Sequence, residues 1–174
     1  NKQMKYHQID RDLFIKNREK FMAKMKPKSV AVFNSNDIYP IGADSTMPFV
    51  QHRDIFYLSG VDQEESILLL FPDAPYEHQR EMLFLKETSE HIAIWEGEKL
   101  TKERAFEVSG IKTVYWLSDF PAIFRKMMVE AENVYINNNE HYRAAVETET
   151  REDRFIKKLK NDFPGHQYVR SNPI

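Results

Sequence analysis

The string Ile67-Leu68-Leu69-Leu70-Phe71 carries no polar side chain, and it runs from Ser66 into the turn string Pro72-Asp73-Ala74-Pro75. Side chains of a strand alternate between two faces, so a strand that is apolar at every position needs cover on both. The shortness of the run and the prolines that close it favour a strand over a buried helix. The run therefore predicts a central strand in a sheet sandwiched by helices. Val30-Ala31-Val32-Phe33 reads as another short buried strand, and Met82-Leu83-Phe84-Leu85 as the strand that follows the turn.

The rest of the chain alternates in the same way. Asp10 is placed to cap a helix that runs to about Lys26, where Pro27 stops it. Ile55-Phe56-Tyr57-Leu58 reads as a second strand closed by Gly60, and 91–95 as an extended segment ending at Gly97. Thr101, with Arg104 and Ala105, opens a short helix, and Thr113-Val114-Tyr115-Trp116 is a strand. Ser118-Asp119 caps a helix carrying Ile123, Phe124, Met127 and Met128, and Val134-Tyr135-Ile136 is the last strand. Helical pattern returns over 148–161 and stops before Pro164-Gly165, and no internal repeat is visible. The expected fold is three-layer α/β, a mixed sheet of roughly six strands with helices on both faces.

A chain of 174 residues, 41% hydrophobic and 13% aromatic, has the composition of one globular domain. At this length it should bury roughly two-thirds of its unfolded surface. Its longest apolar run falls far short of the roughly 20 residues of a membrane helix, and no signal-type apolar region follows the basic N-terminus. A cytoplasmic, non-membrane protein is the expectation. With no cysteine there is no disulfide, thiolate zinc site or cysteine nucleophile. Residues 1–28 hold nine Lys and Arg, Arg18 among them, against three acids, while 29–110 hold six against fifteen. Because the basic residues fall between Leu13, Phe14, Phe21, Met22 and Met25, they read as the solvated face of an amphipathic helix. The acidic middle argues against a nucleic-acid partner.

Self-contained chemistry is hard to find. No glycine-rich phosphate loop and no HExxH is present. Glu77-His78 with Glu81 has the composition of a metal ligand set but follows a proline-rich turn and reads as a solvated loop, as do the scattered His7, His52, His91, His141 and His166. The core strands carry no carboxylate of the kind that holds metals in ribonuclease H-type enzymes.

Asp44-Ser45, Pro48-Phe49, Gln51, Asp54 and Phe56-Tyr57-Leu58-Ser59-Gly60, taken together, resemble the N-terminal domain of bacterial Xaa-Pro aminopeptidases. In that family the catalytic half has the pita-bread fold shared with prolidase and creatinase. Ile94-Trp95-Glu96-Gly97, followed by Ala105, is similar to the W-x-G segment of the same domain. The likeness extends over residues 8–172, with departures at Val50, where many relatives have Arg, and at Glu98-Lys99. It implies a mixed six-stranded sheet with helices on both faces, related in outline to ribonuclease H without its active site. It also implies that 1–174 is a single non-catalytic domain and that the catalytic domain follows residue 174. Two divalent metals, manganese as a rule, would be held there by two Asp, one His and two Glu, a set with no match here; no cofactor is expected in this chain.

The resemblance further implies partners: the chain's own C-terminal catalytic domain, further copies in a homo-oligomer, and proline-containing peptide substrates. Trp95 matches a Trp that walls the substrate pocket of a neighbouring subunit, and Asp44 an acid that meets the catalytic domain near the cleft mouth. Arg53 would serve as a cleft cation. From the residues alone, Trp95 reads equally as a core or edge aromatic and Asp44 as an Asx-turn acid before Ser45, while Arg53 reads rather as a surface cation. A rival from another class is a protein-binding module of a catalytically inactive pita-bread relative, with partner proteins, histones among them.

Overall fold

The computed structural model describes residues 9–35, 53–89, 99–136 and 151–170, without the side chains of 53, 151–156 and 168–170. In chain order the elements are α1 (Arg11–Ala23), β1 (Ser29–Asn34), α2 (Arg53–Ser59), β2 (Ile67–Leu70), β3 (Glu81–Leu85), α3 (Lys102–Ser109), β4 (Thr113–Trp116), α4 (Phe120–Glu130), β5 (Asn133–Ile136), α5 (Arg151–Asp162) and β6 (Gln167–Arg170). The six strands form one sheet in the order β4-β3-β2-β1-β5-β6. β2 is antiparallel to both its neighbours, β1 and β3, and the remaining pairs are parallel, so five strands share one direction.

The charge-free strands are central, and their alternation divides the core in two. Val30 and Val32, Ile67 and Leu69, and Met82 and Phe84 point to α4 and α5, where Phe120, Phe124, Met127, Met128 and Leu159 cover them. Ala31 and Phe33, Leu68 and Leu70, and Leu83 and Leu85 point the other way, onto Phe21, Ile55, Leu58 and Ala105 of α1, α2 and α3. Both faces are covered, as an uncharged strand requires.

Caps define the helices. The Asp10 carboxylate accepts from the Asp12 N–H at 3.0 Å and starts α1, which ends at Ala23, short of the proline expected to stop it. The Thr101 hydroxyl accepts from the Arg104 N–H at 3.1 Å and starts α3.

Residues 55–58 do not form the expected strand; they lie within helix α2. Its end has the same chemistry as the end of α3. In Ser59-Gly60-Val61 and Ser109-Gly110-Ile111 the serine hydroxyl donates to the carbonyl four residues back and accepts from the N–H two residues on. Both glycines are left-handed, with φ of 72° and 79°. A Cβ on Gly60 would lie 2.4 Å from the Phe14 ring, and one on Gly110 2.7 Å from Ile15 Cδ1, so neighbouring residues of α1 press on both helix ends.

A second correction concerns Arg18. It is fully buried, not solvated with the other basic residues of α1. Its Nη1 donates to the Leu58 carbonyl at 2.9 Å and its Nε to Glu81 Oε1 at 3.2 Å, while Asn17 Nδ2 donates to the Tyr57 carbonyl at 2.8 Å. The last carbonyls of α2 are thereby satisfied by α1, and a cation stands at the negative end of the helix. Burial lowers the Arg18 pKa from its ordinary value, and the charge and hydrogen bond of Glu81 oppose the change. The sixth strand of the sheet is β6, beyond Pro164-Gly165, where no strand is expected from the sequence. The extended segment expected at 91–95 lies outside the described residues.

Candidate functional site

Asp44 and Trp95 lie outside the described residues, and Arg53 is the first residue of α2, of whose side chain nothing is described. What can be built is the frame on which their segments stand. β1 and β3 run in the same direction, and the chain passes from their C-terminal ends to 36–52, which holds Asp44, and to 90–98, which holds Trp95. β2 begins at that same edge. It is the edge at which open α/β sheets place their ligands, beside a strand where the order reverses direction. Here that strand is β1, because the chain moves outward through β2, β3 and β4 and then returns to β1's other side for β5.

The frame is tied by hydrogen bonds among buried and half-buried groups. The Ser35 N–H donates to the Ser66 carbonyl at 3.1 Å, and the Ser66 N–H to Ser35 Oγ at 3.0 Å. Ser66 Oγ donates to the Gln63 carbonyl at 2.8 Å, and the Leu100 N–H to Gln63 Oε1 at 2.8 Å. The stems of the two segments, Ser35 and Leu100, thus meet through residues 63–66. None of these four entered the sequence reading as a site residue; the only cue was a polar string set between apolar Val61 and Ile67.

Two other hollows are open to the surface. A cleft of about 720 Å3 lies at the opposite edge of the sheet, between α1 and the starts of β3 and β4, with Glu19, Glu77, His78, Arg80 and Lys112 around it. Charges of both signs mingle there. A groove of about 290 Å3 runs between α4 and α5, lined by Leu117, Phe120, Phe124, Leu159 and Phe163. Glu77 and His78 sit on a short 3-10 turn, and Glu81 is engaged with Arg18. Among the described residues there is no group of three or more His, Asp or Glu that could hold a metal ion. No helix among them is long and apolar enough to cross a membrane.

Comparison with known proteins agrees with this architecture. The family model described as "Aminopeptidase P, N-terminal domain" matches residues 14–135, and the chain belongs to that family. Xaa-Pro aminopeptidase of Escherichia coli K12 is 25% identical over 139 residues, which cover 80% of this chain and 31% of the relative. The Haemophilus influenzae Xaa-Pro aminopeptidase is 24% identical over 127 residues, covering 73% of this chain and 29% of the relative. A Bacillus anthracis structure assigned as an aminopeptidase P superposes with a TM-score of 0.81 at 22% identity, over 93% of this chain and 38% of that one. The chain therefore spans about a third of the length of the curated relatives it matches.

Proposed function

We propose that this chain is the non-catalytic N-terminal domain of an Xaa-Pro aminopeptidase, a hydrolase that removes the first residue of peptides with proline second. The observation that carries the reading is the family match over 14–135, together with relatives named for that activity, about a third of whose length the match covers. On this reading the domain supports oligomerisation and shapes the substrate cleft of a cytoplasmic enzyme. Trp95 presents its ring to the peptide, Asp44 meets the catalytic domain at the cleft mouth, and Arg53 is a cleft cation. The two divalent metals, manganese by expectation, belong to the catalytic domain and not to these residues. The common edge from which both motif segments leave the sheet supports a shared role for them.

Trp95→Ala in the full-length protein tests the reading. Loss of apolar contact with the peptide should lower kcat/KM on an Xaa-Pro substrate by about 1–3 kcal/mol, roughly five- to hundredfold, with unfolding almost unchanged. A variant that loses several kcal/mol of stability yet keeps its activity per folded molecule would make Trp95 a core residue. Reading the coding sequence beyond Ile174 for the Asp, Asp, His, Glu, Glu set separates a peptidase from a binding protein.

A further inference from the structure

Four consecutive residues between α2 and β2 each reach a different point on the stems of the motif segments. Gln63 Oε1 accepts from the Leu100 N–H, one residue before the cap of α3. Glu64 Oε1 lies 3.7 Å from Lys99 Nζ, and Glu65 Oε2 lies 3.5 Å from Lys86 Nζ, just past the end of β3. Ser66 exchanges its two backbone bonds with Ser35. Lys86 precedes 90–98 and Lys99 follows it, so each stem of that segment carries an ion pair to this string, the Lys86 pair largely exposed, while the stem that leads into 36–52 is held by hydrogen bonds.

One strained residue accompanies this arrangement. Glu65 has φ of 57°, left-handed backbone that a side chain other than Gly or Asn adopts at a cost of about 1 kcal/mol or more. Ser35, Gln63 and Ser66 are 1%, 8% and 0% exposed, so water does not replace their bonds. The Gln63 amide oxygen is committed to Leu100, since only an acceptor can face that N–H, and the Gln63 Nε2 has no hydrogen-bond partner among the described residues. What the amide secures is the position of Leu100.

We propose that Gln63 is a positioning residue: with Glu64, Glu65 and Ser66 it holds Ser35 and Leu100 in one fixed relation, and so sets where the segment bearing Asp44 leaves β1 and where the segment bearing Trp95 leads into α3. Its bearing on catalysis rests on the function proposed above; the positioning itself does not.

The chain has no cysteine, so spin labels on Ser45→Cys and Glu98→Cys report one distance across the two segments. In the full chain, Gln63→Met keeps the volume and removes the acceptor. The Leu100 amide should then exchange about tenfold faster, as loss of one hydrogen bond allows, and the label distance distribution should shift or broaden. Gln63→Glu keeps an acceptor and should restore both. Ser35→Ala cuts the same chain of bonds at its other end and replaces Gln63→Met if that variant does not fold. Faster exchange at Leu100 with an unchanged label distribution would overturn the proposal. If the distribution moves but neither Gln63→Met nor Trp95→Ala alters kcat/KM in the full-length protein, the positioning stands and the reading of Trp95 falls.

Discussion

The two helical layers are fastened to the sheet by different means. α4 and α5 are held chiefly by aromatic contact: Phe120 stands edge-on to Phe84 at 5.0 Å and stacks on Phe124 at 5.0 Å, and Phe124 meets Phe163 at 6.2 Å. On the other face, apolar packing is joined by directional bonds from Asn17 and Arg18 to the end of α2. Apolar contact supplies free energy but tolerates rearrangement, whereas buried, fully bonded polar groups specify one geometry. The polar fastening falls on the layer that holds α2 and α3, the helices entered from the two motif segments. The groove between α4 and α5 lies in the other layer.

The largest effect should come from the aromatic layer. Phe124→Ala removes a buried ring from the middle of the stack and should cost about 3–5 kcal/mol, read from the urea midpoint. Met128→Leu, on the same helix and fully buried, should cost less than about 1.5 kcal/mol, because volume is what that layer requires.

Arg18→Met tests the other layer. It keeps bulk but strips Glu81 and the Leu58 carbonyl of their partner, and about 3 kcal/mol should be lost, the low end for a broken buried pair because Glu81 retains some solvent. Arg18→Lys should not rescue it, since an ammonium cannot span both acceptors as the guanidinium does. A neutral or stabilised Arg18→Met would erase the distinction between the layers.

Gly60→Ala places a methyl against Phe14 at a left-handed φ and should cost about 2 kcal/mol, felt as a loss of several degrees in Tm. The smallest effect is Thr101→Ala, about 1 kcal/mol from the lost cap of α3, with faster amide exchange confined to the first turn of that helix.

Much of this was legible in the amino-acid order. The apolar runs at 30–33, 67–71 and 82–85 required a sheet covered on both faces, and Asp10 and Thr101 announced their helices. Residues 55–58 were misleading because four apolar residues suit either state. The spacing of buried Ile55 and Leu58 and the Ser-Gly-Val ending, echoed by Ser109-Gly110-Ile111, were the overlooked helical signals. Arg18 shares the spacing of Phe14, Asn17 and Phe21, all buried on one face of α1, yet its charge argued for solvent. β6 lacked an apolar string because it lies at the sheet's edge.

By itself, then, the sequence determined the layered plan, the strands at its centre and the motifs that mark the family, because burial of uncharged runs and local caps depend on near neighbours in the chain. Only the tertiary structure decided that Arg18 could be buried, since its acceptors come from residues 58 and 81, and that 55–58 would coil under α1. It alone decided that Gln63-Glu64-Glu65-Ser66, a polar string with no local purpose, would reach Ser35, Lys86, Lys99 and Leu100. A polar side chain's value depends on partners that folding brings to it from far along the chain.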